Sequence, residues 1–441
     1  MDLIRPDDPD YDKARQAWNL AVDQRPAAVA FPRSTEEVVE ALRLAAECGL
    51  RAAPQATGHR AGPLGDLSDT LLLKTERMRD LTIDPDRRIA RLAAGVQAAE
   101  VAEAAARYGL APLGGSGPDV GVVGYALGGG VSLIARTHGL AAHQIEAAEL
   151  VTAKGQVVHV DREREPDLHW AVRGGGGGFA VVTALELRLL PIAEAYAGVL
   201  SWPAERGDEV LHAWRELTEG AVPDALSTIG RYRRFPPLPM VPEHLRGRAF
   251  AVVEAIYLGD RTEADELLAP LRALGPEEDT IATIPAKELI LLHGDPAQPV
   301  PGVVDGILLR DLPADAIEAI VRLAGAQSGA PLISLDVRHL GGALARPPAE
   351  PAALERLEAG YVVSAVGAAP DPEQAAAVST CITGIEEALA PWTADQSSLN
   401  FADAPRDPRS FFTPDAYERL RHLKSQLDPD DRIHASYPLA R

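Results

Sequence analysis

The sequence is poor in cysteine, in aromatic residues and in positive charge. Its two cysteines, Cys48 and Cys381, are too few for a disulfide framework or a cysteine-rich zinc site. The 43 Lys and Arg residues are outnumbered by 64 Asp and Glu residues, which leaves a net charge of −21. A surface of that charge repels nucleic acids and anionic membranes, so we expect neither as a partner.

Long apolar runs are also missing from the sequence. None approaches the ~18 residues of a membrane span, and the first residues, MDLIRPDDPDYDKARQ, contain no signal-peptide core. We therefore expect a cytoplasmic protein, and the sequence leaves its oligomeric state open. Cys48 falls on a helical pattern, where we expect it to be a small buried residue.

The motifs of several common sites are absent as well. There is no P-loop, and no G-x-G-x-x-G joins the first strand to the first helix, which argues against nucleotide sites of the P-loop and Rossmann types. A near match to the G-x-S-x-G elbow of hydrolases has Pro118 in its last position. His138 and His143 are five residues apart, the wrong spacing for two ligands on one helical face, so we expect no metal site.

A chain of 441 residues is long enough for two or three domains. Near its start, residues 28–31, 34–49 and 51–54 are predicted as a strand, a helix and a strand, with Ser34 and Glu37 forming a capping box. After about residue 195, glycine clusters become rare and amphipathic helices alternate with strands. This change predicts a second domain.

Three glycine clusters, at 58–65, 114–130 and 173–178, each follow or precede a predicted strand. They are unlike flexible linkers, which are rich in serine and lie between domains. Because glycine has no Cβ, successive N–H groups in such loops can point at phosphate oxygens. The clusters therefore predict close backbone contact with a large anionic ligand.

Five segments, in this order, resemble the FAD-linked oxidases of the berberine-bridge-enzyme-like group, within the vanillyl-alcohol-oxidase superfamily. Each segment is weak evidence alone, but their order and spacing are specific, and the resemblance runs essentially from end to end. The segments are ATGHRAG (56–62), VGVVGYALGGG (120–130), ARTHGLA (135–141), AVRGGGGGFAVVTALELRL (171–189) and LDPDDRI (427–433).

The resemblance implies an α+β fold: a PCMH-type FAD-binding domain of two α/β subdomains, with an inserted substrate domain of antiparallel sheet covered by helices. Residues 1–195 and 395–441 would form the FAD domain, and residues 196–394 the substrate domain. The loop that begins at Gln55 would wrap the FAD pyrophosphate. The implied FAD contacts are Gln55, Ala56, Thr57, Gly58, His59, Arg60, Gly62, Gly117, Val120, Gly121, Gly124, Tyr125, Gly129, Val181 and Asn400.

Four of these positions carry specific roles in the resemblance. His59 matches the residue that bonds covalently to the flavin 8α-methyl group. Gly117 stands where many relatives have a second, cysteine link, so a single covalent bond is implied. Val120 matches a gate where a small side chain admits O2, and this favours an oxidase. Tyr125 matches a residue near the flavin N1–C2=O edge, where a phenol would stabilise negative charge on the reduced ring.

The chain departs from the family pattern at the catalytic base. Known relatives have Tyr-x-Asn-Phe at this point, whereas residues 398–401 here read SLNF. Asn400 is retained, but Ser398 replaces the tyrosine, and a serine hydroxyl does not ionise near neutral pH without help. Either another group acts as the base or the reaction differs.

Several other residues are weak candidates for catalysis. Strand alternation places Asp336 and Arg338 on one face of a predicted strand and His339 on the other, so the three cannot line one pocket. The candidates are Tyr125, His339, Asp336, Asn400, Tyr232 and His293.

The resemblance favours an oxidase that moves hydride from a small-molecule substrate to FAD and then passes electrons to O2. Two alternatives stay open: a flavoprotein that catalyses a cyclisation or elimination without net oxidation, and a flavin-binding protein without catalysis. Aromatic residues make up 5% of the chain, which argues against sugar-stacking platforms and towards a substrate like a secondary metabolite.

Overall fold

Three β-sheets organise the chain in this computed structural model, which describes residues 1–239 and 241–439. The first sheet has four strands in the order β1-β2-β4-β3, in which β4 runs parallel to both β2 and β3 while β1 is antiparallel to β2. Its strands are β1 (Asp2–Ile4), β2 (Ala28–Phe31), β3 (Arg51–Gln55) and β4 (Thr70–Lys74).

Helix α2 (Thr35–Glu47) forms the predicted β-α-β unit with β2 and β3. Its apolar residues recur at helical spacing and contact strands of the first and second sheets, which places the helix in the core. Ser34 accepts a hydrogen bond from the Glu37 N–H, but the Glu37 carboxylate binds the Arg33 N–H and the N-terminal amine. The predicted capping box is therefore only half formed.

The prediction that Cys48 is buried is wrong. Cys48 is the residue that caps the C-terminus of α2, and it is exposed. The helix ends here because Gly49 adopts a φ of 70°, which glycine tolerates without steric cost. The apolar pattern that predicts the helix therefore continues to Cys48, one residue past the end of the helix at Glu47.

The second sheet has five antiparallel strands in the order β5-β6-β9-β7-β8. The glycines that precede its central strand form a tight turn, in which Gly174 and Gly176 have φ values of 91° and 78°. The strands are β5 (Leu81–Asp84), β6 (Ile89–Ala93), β7 (Ile145–Thr152), β8 (Val157–Asp161) and β9 (Ala180–Arg188).

The third sheet is antiparallel and has eight strands, in the order β13-β10-β12-β11-β16-β17-β15, with β14 also paired to β10. Helices cover one face, where Trp202 and Trp214 are fully buried. The predicted α+β fold is thus confirmed, including the antiparallel sheet covered by helices. The strands are β10 (Glu194–Pro203), β11 (Leu226–Arg234), β12 (Ala249–Tyr257), β13 (Glu278–Asp279), β14 (Ala282–Pro285), β15 (Gly302–Leu309), β16 (Ser334–His339) and β17 (Tyr361–Ala368).

The helices are mostly short and amphipathic. Among the described residues, none is long and apolar enough to cross a membrane. The helices are α1 (Tyr11–Ala14), α2, α3 (Ala98–Ala106), α4 (Val122–Leu127), α5 (Ala135–His138), α6 (Pro166–Val172), α7 (Gly207–Glu219), α8 (Arg261–Arg272), α9 (Leu289–Leu292), α10 (Ala314–Ala324), α11 (Pro372–Leu389) and α12 (Pro414–Leu427).

The C-terminal tail returns to the first sheet after α12. The carboxylate of Asp428, almost fully buried, accepts hydrogen bonds from the Arg432 and Ile433 N–H groups, both at 2.8 Å. Lys424 donates to this carboxylate at 2.7 Å and to the carbonyl of Gly178 at 2.9 Å. These contacts attach the tail to the third glycine cluster.

Replacement of Asp428 by alanine should lower the free energy of unfolding by about 3 kcal/mol, because it leaves two N–H groups without their acceptor and removes the buried carboxylate that pairs with the Lys424 ammonium group. Urea unfolding measures this loss. Asp430→Ala is the matched control: Asp430 is exposed and pairs only with Arg432, so its loss should cost below about 0.5 kcal/mol. Equal effects of the two substitutions would contradict the anchoring role of Asp428.

Candidate active site

His59 lies in the loop after β3, inside a frame of three side chains. The ring of Trp18 stacks on the imidazole, with centroids 4.1 Å apart and an interplanar angle of 19°. The hydroxyl of Thr57 lies 2.7 Å from Nδ1 of His59. On the other side, a carboxylate oxygen of Asp119 lies 3.3 Å from Nε2. The frame holds the ring in one orientation.

Asp119 is itself held in place by Trp18. The indole N–H donates to one carboxylate oxygen of Asp119, and the Trp18 backbone N–H donates to the carbonyl of Thr57 at 3.0 Å. The other oxygen, the one facing His59, accepts no hydrogen bond from any described residue. This oxygen is therefore free to accept a hydrogen bond from the imidazole N–H.

The surroundings of His59 select one form of the ring. Burial lowers the pKa of His59, and the nearby Asp119 carboxylate only partly opposes this effect, so the ring is neutral at pH 7. A neutral imidazole has one N–H, and the carboxylate favours it at Nε2. The Thr57 hydroxyl then donates to Nδ1, the nitrogen that carries the lone pair and is the nucleophile.

The second glycine cluster packs directly on this loop. A Cβ at Gly121 would lie 2.9 Å from the Cβ of Ala56, and a Cβ at Gly130 would lie 2.5 Å from the Cβ of Ala141. A Cβ at Gly124, in contrast, would meet nothing within 4 Å. Some of these glycines thus permit close packing within the protein, while Gly124 borders open space.

Asn400 joins the second cluster to the C-terminal part of the chain. Its side chain donates to the carbonyl of Tyr125 at 3.2 Å and accepts from the N–H of Gly130 at 2.7 Å. Arg60 donates to the Asn400 carbonyl at 3.1 Å and lies 3.4 Å from the Asp403 carboxylate. Burial raises the pKa of Asp403. Residues predicted from three distant segments therefore meet at one place.

The third glycine cluster contacts the second through a backbone hydrogen bond, from the N–H of Gly176 to the carbonyl of Leu127 at 2.9 Å. A Cβ at Gly174 would lie 2.6 Å from the Cβ of Leu354. Val181, a predicted FAD contact, is fully buried in β9 opposite Val151, where its side chain belongs to the apolar core. The third glycine cluster thus packs against the second and fixes its position.

An open pocket lies beside the second glycine cluster. The phenol of Tyr125 is buried, and its hydroxyl has no hydrogen-bond partner among the described residues. Burial raises the pKa of this phenol, which stays a neutral donor. Such an unused donor fits a ring system with oxygen and nitrogen acceptors, as in a flavin. Lining residues include Gly114, Gly115, Val120, Tyr125, Ala126 and Gln144.

A buried charged cluster, which we call the His293 cluster, lies on the face of the third sheet opposite Trp202 and Trp214, at the end of α9. Nδ1 of His293 lies 2.9 Å from the Glu254 carboxylate, and Nε2 lies 3.1 Å from that of Asp336. Arg231 contacts both carboxylates, and Ser334 donates to Asp336 at 2.5 Å. A ring with a carboxylate at each nitrogen is an imidazolium.

The opposite charges of the His293 cluster stabilise each other's ionised forms. Burial opposes the charged forms, but Glu254 and Asp336 together raise the pKa of His293. In turn, burial would raise the pKa of Glu254, but His293 and Arg231 lower it to about 2. The pKa of Asp336 is likewise held well below its usual value. None of the three is a free base at neutral pH.

The other candidates for the base lie away from this face. His339 stacks on Tyr361 at 5.4 Å and lies 3.2 Å from a nitrogen of Arg136, and burial lowers its pKa to about 3. Tyr232 packs among the residues under the helices, and burial raises its pKa to about 12. Asp336 and His339 thus face opposite ways, as the predicted alternation requires. Ser398 is buried at the site.

Sequence reasoning missed two residues of the site, Trp18 and Asp119. No periodic signal or motif marks Trp18, because it reaches His59 only through folding of the N-terminal segment. Asp119 directly precedes the segment VGVVGYALGGG (120–130), and an acid beside a predicted cofactor loop was a usable signal. Its role depends on loop geometry that spacing does not reveal.

Comparison with known proteins agrees with this geometry. A family model described as an FAD binding domain matches residues 26–161. (R)-6-hydroxynicotine oxidase of Paenarthrobacter nicotinovorans is 26% identical over 99% of this chain and 96% of its own length. Two solved structures share the fold. BBE-like 1 of Physcomitrella patens has a TM-score of 0.85 and 22% identity, covering 100% of this chain and 97% of that one.

The second structure is glucooligosaccharide oxidase of Acremonium strictum, with a TM-score of 0.80 and 22% identity. The alignment covers 100% of this chain and 98% of that one. That protein is described as holding a 6-S-cysteinyl, 8α-N1-histidyl FAD. Together these matches assign the chain an FAD-binding domain and place it among FAD-linked oxidoreductases.

The His293 cluster should make stability depend on pH. A histidine with a raised pKa in the folded state stabilises the fold fully below its unfolded pKa of about 6.5, and this contribution is lost as pH rises through the folded value. His293→Gln should therefore cost about 3 kcal/mol near pH 6, and the deficit should shrink towards pH 9. Urea unfolding across this range measures it.

His422→Gln is the control for that series, because His422 is exposed. Its unfolding free energy should follow that of the unsubstituted protein at every pH. A deficit for His293→Gln that stays constant or grows with pH would contradict the imidazolium assignment.

Proposed function

We propose that this chain, an FAD-dependent oxidoreductase of the berberine-bridge-enzyme-like group of FAD-linked oxidases, oxidises a small organic substrate with O2 as the electron acceptor. The observation that carries the proposal is the His59 frame, which packs against the second glycine cluster, where Tyr125 lines an open pocket and its hydroxyl has no partner among the described residues. We further propose that the protein is cytoplasmic and acts in secondary metabolism.

The reaction balances as a two-electron oxidation. The substrate loses a hydride from carbon and a proton from oxygen or nitrogen, and O2 takes up two electrons and two protons to give H2O2. FAD, when bound, is the two-electron carrier between them. Two relatives named as oxidases support the use of O2, as does the small side chain of Val120 at the cavity wall.

The residues of this chain would orient the cofactor more than they would move protons. Asn400 fixes the segment that carries Tyr125, and the neutral Tyr125 phenol would donate to an oxygen or nitrogen of the flavin ring. Arg60 and the backbone of the first glycine loop would face the pyrophosphate. The His293 cluster carries fixed charges and accepts no proton at neutral pH.

We propose a single covalent link to FAD, through Nδ1 of His59. The frame supports this, because it places the imidazole proton at Nε2 and the lone pair at Nδ1, where the flavin would displace only the hydrogen bond from the Thr57 hydroxyl. Glucooligosaccharide oxidase is described with both a histidyl and a cysteinyl link. Here Gly117 stands at the predicted cysteine position, and Cys48 is an exposed residue at the end of α2.

A second function has one observation in its favour. Ser398 replaces the usual tyrosine, and the other candidate bases His293, Asp336 and His339 are each held in one charge state, so none of these three is a free base at neutral pH. A flavoprotein that cyclises its substrate or eliminates a group from it, without net oxidation, would also suit such a site.

Anaerobic mixing separates these functions. A panel of amines, phenolic alcohols and polyols is added to the yellow protein, and one class should bleach the ~450 nm flavin band, since substrate oxidation reduces the flavin. Admission of air should restore the band and release one H2O2 for each substrate oxidised. Product formation without bleaching would favour the non-oxidative function, and binding with neither would indicate a protein without catalysis.

The covalent link can be tested by substitution. His59→Ala should retain FAD that is lost on acid denaturation. Asp119→Asn should slow covalent attachment of FAD about tenfold. The uncharged amide accepts a weaker hydrogen bond from the Nε2–H group than the carboxylate does, so it holds the proton at Nε2 less firmly. The readout is the fraction of flavin that stays with the denatured chain over time.

Asp295→Asn is the matched control for Asp119→Asn, because Asp295 lies close enough to act on the charge of His59 but makes no contact with its ring. Its attachment rate should equal that of the unsubstituted protein. Equal slowing by both substitutions would show a general charge effect and not a positioning role for Asp119.

A further inference from the structure

Arg338 is a cation beside the His293 cluster, and apolar residues flank it on both neighbouring strands of the third sheet. It lies on β16, and the strand register places Ile229 of β11 and Val362 of β17 directly beside it. Its guanidinium carbon is 5.6 Å from the ring centroid of Phe401. These three neighbours leave most of the guanidinium without polar contacts.

Arg338 has no carboxylate partner. Among the described residues, no carboxylate lies within 4.0 Å of it. The nearest candidate, Asp336, already contacts Arg231, His293 and Ser334. Moreover, the buried Nε of Arg338 has no hydrogen-bond acceptor in the described part of the chain. A buried donor left this way costs free energy unless a ligand completes it.

The charges around Arg338 do not balance. Its Nη2 lies 3.4 Å from Nε2 of His293, and that nitrogen belongs to an imidazolium. The group holds four cations and three carboxylates: Arg231, Arg233, His293 and Arg338 against Glu254, Asp295 and Asp336. One positive charge is left over on this face, although the whole chain is strongly acidic. A negative group would relieve the repulsion.

Arg338 also lies close to the proposed flavin site. Its charge acts on the phenol of Tyr125, and Phe401, beneath its guanidinium, directly follows Asn400. The two unused donors, Arg338 Nε and the Tyr125 hydroxyl, are thus at the same side of the site. A substrate that lies beside the flavin would meet both.

We propose that Arg338 binds a carboxylate or other anionic oxygen of the substrate, and that the rest of the substrate is apolar or aromatic and packs on the half-buried ring of Phe401. This inference rests on the proposed function, because that function places the substrate here. Arginine binds such a group through charge-assisted hydrogen bonds, which are strongest when desolvated. A polyol would instead need alternating donors and acceptors, and two aliphatic side chains flank the guanidinium.

Benzoate and benzamide test the proposal as probes of equal shape and different charge. Each is titrated into the flavin-loaded protein, and binding is followed by the change in the flavin absorption spectrum, which reports a ligand beside the ring. Benzoate should bind at least about tenfold more tightly than benzamide, and Arg338→Met should remove this preference. Arg338→Lys should keep part of it, because the charge remains without the planar donor pair.

Arg346→Met is the control, since Arg346 is exposed and pairs with Asp224, away from the site. It removes one positive charge and should leave benzoate binding unchanged. Benzoate that binds no better than benzamide, that leaves the flavin spectrum unchanged, or that binds Arg338→Met as tightly as the unsubstituted protein would overturn the inference and leave the flavin function intact. A protein that takes up no flavin would overturn both.

Discussion

The contact between the imidazole of His59 and the carboxylate of Asp119 is the interaction on which the site depends. It joins the loop after β3 to the second glycine cluster, and Trp18 fixes both partners by stacking on one and donating to the other. Because the ring is buried and neutral, this contact also decides which nitrogen keeps its lone pair. The orientation and the reactivity of His59 therefore have one cause.

Glycine makes that contact possible in two ways. Where a glycine backbone lies close to the Cβ of a neighbour, as at Gly121 beside Ala56 or Gly174 beside Leu354, a side chain on the glycine would push the two segments apart. Where space is open, as at Gly124, the missing side chain leaves room for a cofactor. The chain thus uses the same residue for tight packing behind the site and for access in front of it.

Much of the fold follows from local pattern, while contacts between distant segments do not. The strand Ala28–Phe31 has the predicted bounds, and the helix Thr35–Glu47 lies within the predicted range 34–49, because apolar period and flanking residues agree there. Cys48 was wrongly expected inside, because the pattern ran past the end of its helix. Trp18 escaped prediction, because only the folded chain brings it to His59. Arg338 was assigned to the correct face, but its lack of a partner is visible only in three dimensions.

The central claim is that His59, held by Asp119, carries the flavin. Trypsin cleaves after Arg51 and Arg60, so the peptide of residues 52–60 contains His59 and can be isolated from the denatured protein. We predict that mass spectrometry finds this peptide heavier by one FAD, with fragmentation placing the addition on His59. An unmodified peptide, with all of the flavin released into solution on denaturation, would contradict the account.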